Sequence, residues 1–145
     1  MEEIRVEKMA LAGLALVVAV LMSSSVQAIP TTCLDPGAVS AAWQAKVPVA
    51  QCVATDEAEK VCKAWLKTCK RVVSDAGKCR NGELASGATL EKARCKLSTI
   101  VDPTQCKSDA IDHASNLKAQ VKVQKTNALD ACEAYVPTCI LNCLL

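Results

Sequence analysis

The chain has no phenylalanine, and Trp43, Trp65 and Tyr135 are its only aromatic residues. Sugar sites built on exposed aromatic platforms and RNA-type stacking surfaces are therefore not expected, since three rings barely furnish a core. Only one histidine is present, His113. No Asn-x-Ser/Thr triplet occurs, so no N-glycan acceptor is expected. After Met22 no apolar run approaches the roughly 20 residues that a membrane-spanning helix needs. Neither sign of charge dominates: the formal net charge is +2, which does not indicate nucleic acid as a partner.

Cysteine is what the chain has in quantity. Ten are present: Cys33, Cys52, Cys62, Cys69, Cys79, Cys95, Cys106, Cys132, Cys139 and Cys143. All lie downstream of a segment with the layout of a cleavable signal peptide. Residues 1–28 comprise a charged start ending at Lys8, an apolar run from Met9 to Met22, three serines and Val26-Gln27-Ala28. Cleavage after Ala28 is expected, although Glu2, Glu3 and Glu7 are unusual in such a start. The remaining domain, 29–145, has about 117 residues, enough to bury roughly 60 to 70 per cent of its unfolded surface. Its formal charge is about +3, because the signal segment removes three acids and two cations.

An even cysteine count in a secreted chain points to five disulfides. The clearest helix covers about 56–73, with Thr55 as N-cap, acids in its first turn and Lys67, Lys70 and Arg71 near its end. Ala58, Val61, Cys62, Trp65, Leu66, Cys69, Val72 and Val73 form one apolar stripe, so both cysteines face inward. They cannot bond to each other: seven helical residues rise about 10.5 Å, whereas a disulfide holds its Cα atoms within about 7 Å.

Their partners are suggested by an internal echo. Cys62-Lys-Ala-Trp65-Leu-Lys-Thr-Cys69 matches Cys132-Glu-Ala-Tyr135-Val-Pro-Thr-Cys139 in the pattern Cys-x-Ala-aromatic-aliphatic-x-Thr-Cys. An antiparallel meeting gives Cys62–Cys139 and Cys69–Cys132; a parallel meeting gives the opposite pairs. Pro137 weighs against an unbroken second helix, and similarity over eight positions also arises by chance.

The other segments read as helical. Asp35-Pro36 opens a short first helix that Pro48 stops. Beyond breaks at Asn81-Gly82 and Ser86-Gly87, Leu90, Arg94, Leu97 and Val101 predict a third helix ending at Asp102-Pro103. A fourth carries Cys106, Ala110, Ala114, Leu117, Val121, Ala128, Cys132 and Tyr135, with Thr126-Asn127 as a potential interruption and a strand over 120–124 as the competing reading. The fold class is thus all-α: a single disulfide-stapled bundle of about four helices, its core filled by alanine, valine, leucine and cystine.

No catalytic motif stands out, and an enzyme is not expected. In Asp112-His113-Ala-Ser115 the three polar groups are too close along one helix to converge as a triad. Glu57 and Glu59 are explained by the helix dipole. Only Cys139-x-x-x-Cys143 has tight metal-ligand spacing and no second close pair completes it, so neither metal nor cofactor is expected. The basic flank Lys60, Lys63, Lys67, Lys70 and Arg71 is the surface candidate for an extracellular protein receptor or a membrane surface, with a solvated flank as the plainer reading.

These features describe a secreted, non-catalytic recognition protein of toxin, defence or signalling type. The alternatives are a carrier of a lipid-like ligand and an inhibitor of a secreted enzyme. Helical disulfide-bonded lipid-transfer proteins and elicitins resemble this plan in architecture alone. Neither the adjacent Cys-Cys and Cys-x-Cys of the former nor the six-cysteine spacing of the latter is present.

Overall fold

In a computed structural model, residues 33–145 are described; the expected signal peptide, 1–28, lies outside them. The described residues form four helices and no strand: α1 (Pro36–Gln44), α2 (Thr55–Arg94), α3 (Pro103–Ala134) and α4 (Val136–Leu144). The boundaries follow local chemistry. The Asp35 carboxylate accepts the Gly37 and Ala38 N–H groups ahead of a first-turn proline, and Asp102 does the same for Thr104 and Gln105 ahead of Pro103. Pro137 occupies the first turn of α4, and the chain changes helix at Tyr135, just before it.

Helix α2 differs from the sequence expectation at both ends. Its N-cap is Ala54 rather than Thr55, which is the first helical residue, and the Glu57 carboxylate reaches back to the Val53 N–H at 2.9 Å. It does not stop near Val73 but continues through Asn81-Gly82 and Ser86-Gly87 to Arg94, about 60 Å of helix. No separate third helix exists: Leu90 and Arg94 belong to the last turns of α2, and Leu97 and Val101 are in the following loop. Likewise α3 runs unbroken through 120–124 and Thr126-Asn127.

The reason is the opposing helix. Cys62, Cys69, Val73, Gly77, Leu84, Gly87 and Cys95 are buried at helical spacing, so the seam that faces α3 and α4 persists through the glycines. Each glycine costs about 1 kcal/mol of helix propensity, less than the packing of a buried stripe contributes. Gly77 also admits a close approach: a Cβ there would stand 3.0 Å from Lys125 Cδ. Gly82, by contrast, has nothing within 4 Å of such a Cβ. Gly82→Ala is therefore expected to stabilise the domain by about 1 kcal/mol, read as a rise of about 4 °C in a thermal melt. A fall would contradict an unbroken α2.

Five disulfides, Cys33–Cys79, Cys52–Cys143, Cys62–Cys139, Cys69–Cys132 and Cys95–Cys106, use all ten cysteines. Three of them share one register. Seven residues forward from Cys62 to Cys69 match seven back from Cys139 to Cys132, and twenty-six forward from Cys69 to Cys95 match twenty-six back from Cys132 to Cys106. Helix α2 is thus paired antiparallel with α4 and then α3 without a slip, despite the break at Pro137. Their Cα separations of 5.9, 6.1 and 5.6 Å need closely approaching backbones, which alanine and glycine seams permit.

Near the first two of these bridges α1 packs against both long helices. It runs antiparallel to α2, since Cys33 before it bonds Cys79 while Trp43 near its end meets Trp65. Each indole N–H donates to the other tryptophan's carbonyl at 3.3 Å, and the Trp65 and Tyr135 rings lie 5.7 Å apart between centroids. Ser40, buried on the inner face of α1, donates to the Ala128 carbonyl at 3.1 Å. Here sits the core: Cys62, Trp65, Cys69, Val73, Ala128, Cys132 and Cys139, flanked by Val39, Trp43 and Leu129. All three aromatics are spent in this one place. From Val73 onward α2 and α3 continue as a two-helix hairpin to the Cys95–Cys106 bridge.

A second small cluster joins Cys52, Ala58 and Cys143. The 50–52 segment crosses the end of α4, where Ala50 N–H donates to Asn142 O and both Gln51 and Cys52 N–H donate to Cys143 O. Terminal carbonyls that an isolated helix leaves unpaired are satisfied in this way. Ala50 adopts φ of 50°, a left-handed conformation held by that bond and the adjoining bridge.

Candidate functional site

Four disulfide cysteines suspected of core roles divide by position. Cys62, Cys69 and Cys132 are fully buried in the seam, whereas Cys106, near the hairpin end, is only partly covered. Cys95, Cys139 and Cys143 are buried as well, while Cys33 and Cys79 tether the start of α1 at the surface. The chemistry of all ten thiols is taken up in these bridges. Among the described residues no cluster of three or more His, Cys, Asp or Glu side chains is placed to hold a metal ion.

The basic flank lies along the solvent side of α2, and two of its five charges are answered. Lys60 stands 3.7 Å from Asp56, and Lys70 pairs with Glu133 of α3. The second pair links two helices beside the Cys69–Cys132 bridge. Both are exposed pairs, whose contribution is at most about 1 kcal/mol. Lys63, Lys67 and Arg71 remain exposed and, among the described residues, outside any ion pair.

His113 does not turn toward its sequence neighbours Asp112 and Ser115. Its Nδ1 lies 3.1 and 3.3 Å from the two carboxylate oxygens of Glu91, across the hairpin from α3 to α2. Both side chains are partly open to solvent, and the pair acts as a polar clasp below the Cys95–Cys106 bridge. The adjoining depression, about 410 Å³ and open, is walled by Arg94, Ile100, Asp109 and His113. Among the described residues the imidazole's hydrogen-bond partner is the Glu91 carboxylate, and the contact ties α3 to α2.

The end of the hairpin carries a surface that its sequence pattern disguises. The loop from Cys95 to Asp102 carries Leu97 at 57% exposure and Val101 fully exposed, and the adjoining Lys92, Arg94, Lys96 and Lys107 are exposed too. Leucine, isoleucine and valine at three- and four-residue spacing looked like a buried helical stripe. The signal that distinguishes them is charge: residues 92–107 hold four cations and one acid interspersed with the apolar side chains.

A second feature is an open apolar groove of about 480 Å³ between α1 and α2, lined by Leu34, Ala38, Val39, Ala42, Trp43 and Val72. Lys46 lies at its rim, its ammonium 5.3 Å from the centre of the Trp43 ring. Among the described residues no helix is long and apolar enough to cross a membrane. Set beside known proteins, the chain matches no family model, no curated protein and no solved structure.

Proposed function

We propose that the protein is a secreted, non-catalytic recognition protein of toxin, defence or signalling type, which binds an extracellular protein or membrane target through a rigid helical surface. The observation that carries this reading is the staple pattern. Five bridges leave no cysteine over, and three of them hold a long helical pair in one register, so exposed side chains keep fixed relative positions. Preorganisation of this kind lowers the ordering cost of association. A bridge-dense chain also fits an oxidising compartment.

The reading is tested on full-length chain passed through a secretory host. The medium is expected to contain protein cleaved after Ala28, ten hydrogens lighter than its reduced form, and this protein is expected to bind intact target cells saturably. Reduction and alkylation are expected to abolish that binding. Equal binding by the reduced chain would contradict a role for a rigid surface.

The groove beside Trp43 favours a second reading, a carrier of a small lipid-like molecule. Its wall is apolar and Lys46 is placed to meet an anionic head group. Native mass spectrometry of protein from its source would show excess mass for a carrier and bare mass for a recognition protein. The groove is partly open to solvent rather than an enclosed cavity, which disfavours retention of an apolar ligand, so recognition is the preferred reading.

A further inference from the structure

The geometry points to the hairpin end as a docking surface for an anionic lipid bilayer. This inference rests on the recognition reading and names both its target and the part of the molecule that makes contact. The first ground is where the charge lies. Residues 33–145 contain fifteen Lys or Arg and twelve Asp or Glu, an excess of three cations. Residues 92–107 contain Lys92, Arg94, Lys96 and Lys107 against Asp102 alone, which is the same excess. Glu91 and Asp109 lie just outside this stretch, and the other concentration of positive charge is the α2 flank, with five cations over 60–71. On the α2 flank Lys60 and Lys70 are paired with Asp56 and Glu133 while Lys63, Lys67 and Arg71 are not, but no large apolar side chain between residues 60 and 71 is exposed, whereas the hairpin end sets Leu97 and Val101 among its cations.

The second ground is how the acids near that end are used. Glu91 faces His113 across the hairpin, the Asp102 carboxylate accepts two N–H groups at the start of α3, and Asp109 accepts from Gln105. None of Lys92, Arg94, Lys96 and Lys107 takes part in an ion pair among the described residues. Four exposed cations are left without a carboxylate partner.

The third ground is the apolar loop among them. Leu97 and Val101 project into solvent, with Ile100 partly covered, in a loop closed by the Cys95–Cys106 bridge just beneath it. Apolar side chains surrounded by cations are the complement of a headgroup layer, where the chains enter the acyl boundary and the cations meet phosphate. Leu90 and Ile111, both more than half exposed, stand one level further down the hairpin and extend the apolar surface. An acidic protein surface satisfies the cations but leaves a use for fully exposed Val101 only if it also offers an apolar pocket.

The test is co-sedimentation of the full, oxidised domain with vesicles of phosphatidylcholine alone or with about one third phosphatidylglycerol. Binding is expected to the anionic vesicles, weakening as salt is raised, and little to the neutral ones. Each basic residue near such a surface contributes about fivefold in partitioning, so Arg94→Glu with Lys96→Glu is expected to reduce binding at least 25-fold. Leu97→Asp with Val101→Asp is expected to reduce it by a similar factor; these positions are exposed, and circular dichroism checks that the helices persist. Lys63→Glu with Lys67→Glu is the control, about 40 Å away along α2 and beyond the Debye length, expected to change binding less than twofold.

Absence of binding to anionic vesicles, equal binding to both kinds, or loss through the control variant alone would overturn the proposal. Saturable binding to target cells, measured in parallel, separates the two levels. If it persists while vesicle binding is absent, the lipid proposal fails and the recognition reading stands; if both are absent, both fail.

Discussion

Replacing Cys62, Cys69, Cys132 and Cys139 together by alanine is expected to destabilise the domain by about 6 kcal/mol and lower its melting temperature by more than about 20 °C. The figure depends on how the bridges are nested. Cys52–Cys143 encloses Cys62–Cys139, which encloses Cys69–Cys132. Once the outer bridge exists, each inner one closes only the short segments between it and its neighbour, about 14 residues, and so contributes about 3 kcal/mol rather than the larger value of its full loop. Two such steps are comparable to the whole stability of an ordinary domain, about 5 to 15 kcal/mol. The alanines also leave voids, because all four cysteines are fully buried. Removing Cys69–Cys132 alone is expected to cost about half as much. Far-ultraviolet circular dichroism during heating measures both. A four-residue variant that melts within a few degrees of the parent would mean that helix packing alone specifies the bundle.

Trp65→Ala carries the second largest expected effect, a loss of about 4 kcal/mol in urea unfolding. Trp65 is 6% exposed and packs among Cys62, Cys69 and Val73, with the Tyr135 ring 5.7 Å away. In a chain without phenylalanine, Trp65 is the one aromatic of this cluster that is buried, Trp43 and Tyr135 being only partly covered beside it. The indole also donates to the Trp43 carbonyl, so its removal loosens the end of α1. Trp65→Phe keeps most of the ring contact and drops the donor, and is expected to cost about 1 to 2 kcal/mol. Equal losses for the two variants would assign the effect to the hydrogen bond; a loss below 1 kcal/mol for alanine would place the core elsewhere.

The most legible part of this fold was the pair of seven-residue cysteine motifs. Two inward cysteines seven apart on one helix demand a partner with the same spacing, and only the segment from Cys132 to Cys139 offers the matching pattern. Of the two arrangements that the echo permitted, the antiparallel one is present. Asp35-Pro36, Asp102-Pro103 and Pro137 also marked helix boundaries, because capping and proline geometry are local. The middle of α2 was not legible. Asn81-Gly82 and Ser86-Gly87 resemble turns when read locally, and the seam that overrides them involves residues of α3 distant in sequence.

The candidate surfaces divide in the same way. The cations of the α2 flank are obvious from sequence, but that Glu133 answers Lys70 depends on a fold that brings together residues 63 apart. At the hairpin end the excess of charge was present in the sequence all along. It was obscured by an apolar spacing that mimics a helix stripe, and only the exposure of Leu97 and Val101 reveals a loop.

The most direct test of a single antiparallel register is the connectivity of the bridges. Non-reducing digestion near neutral pH with free thiols blocked, with trypsin and then chymotrypsin, separates the relevant cysteines: Lys63 and Lys67 lie between Cys62 and Cys69, Tyr135 between Cys132 and Cys139, and Leu141 between Cys139 and Cys143. Mass spectrometry is expected to find Val61-Cys62-Lys63 joined to the fragment containing Cys139, and Thr68-Cys69-Lys70 joined to the one containing Cys132. The crossed pairs, Cys62 with Cys132 and Cys69 with Cys139, would require parallel helices and would contradict the fold described here.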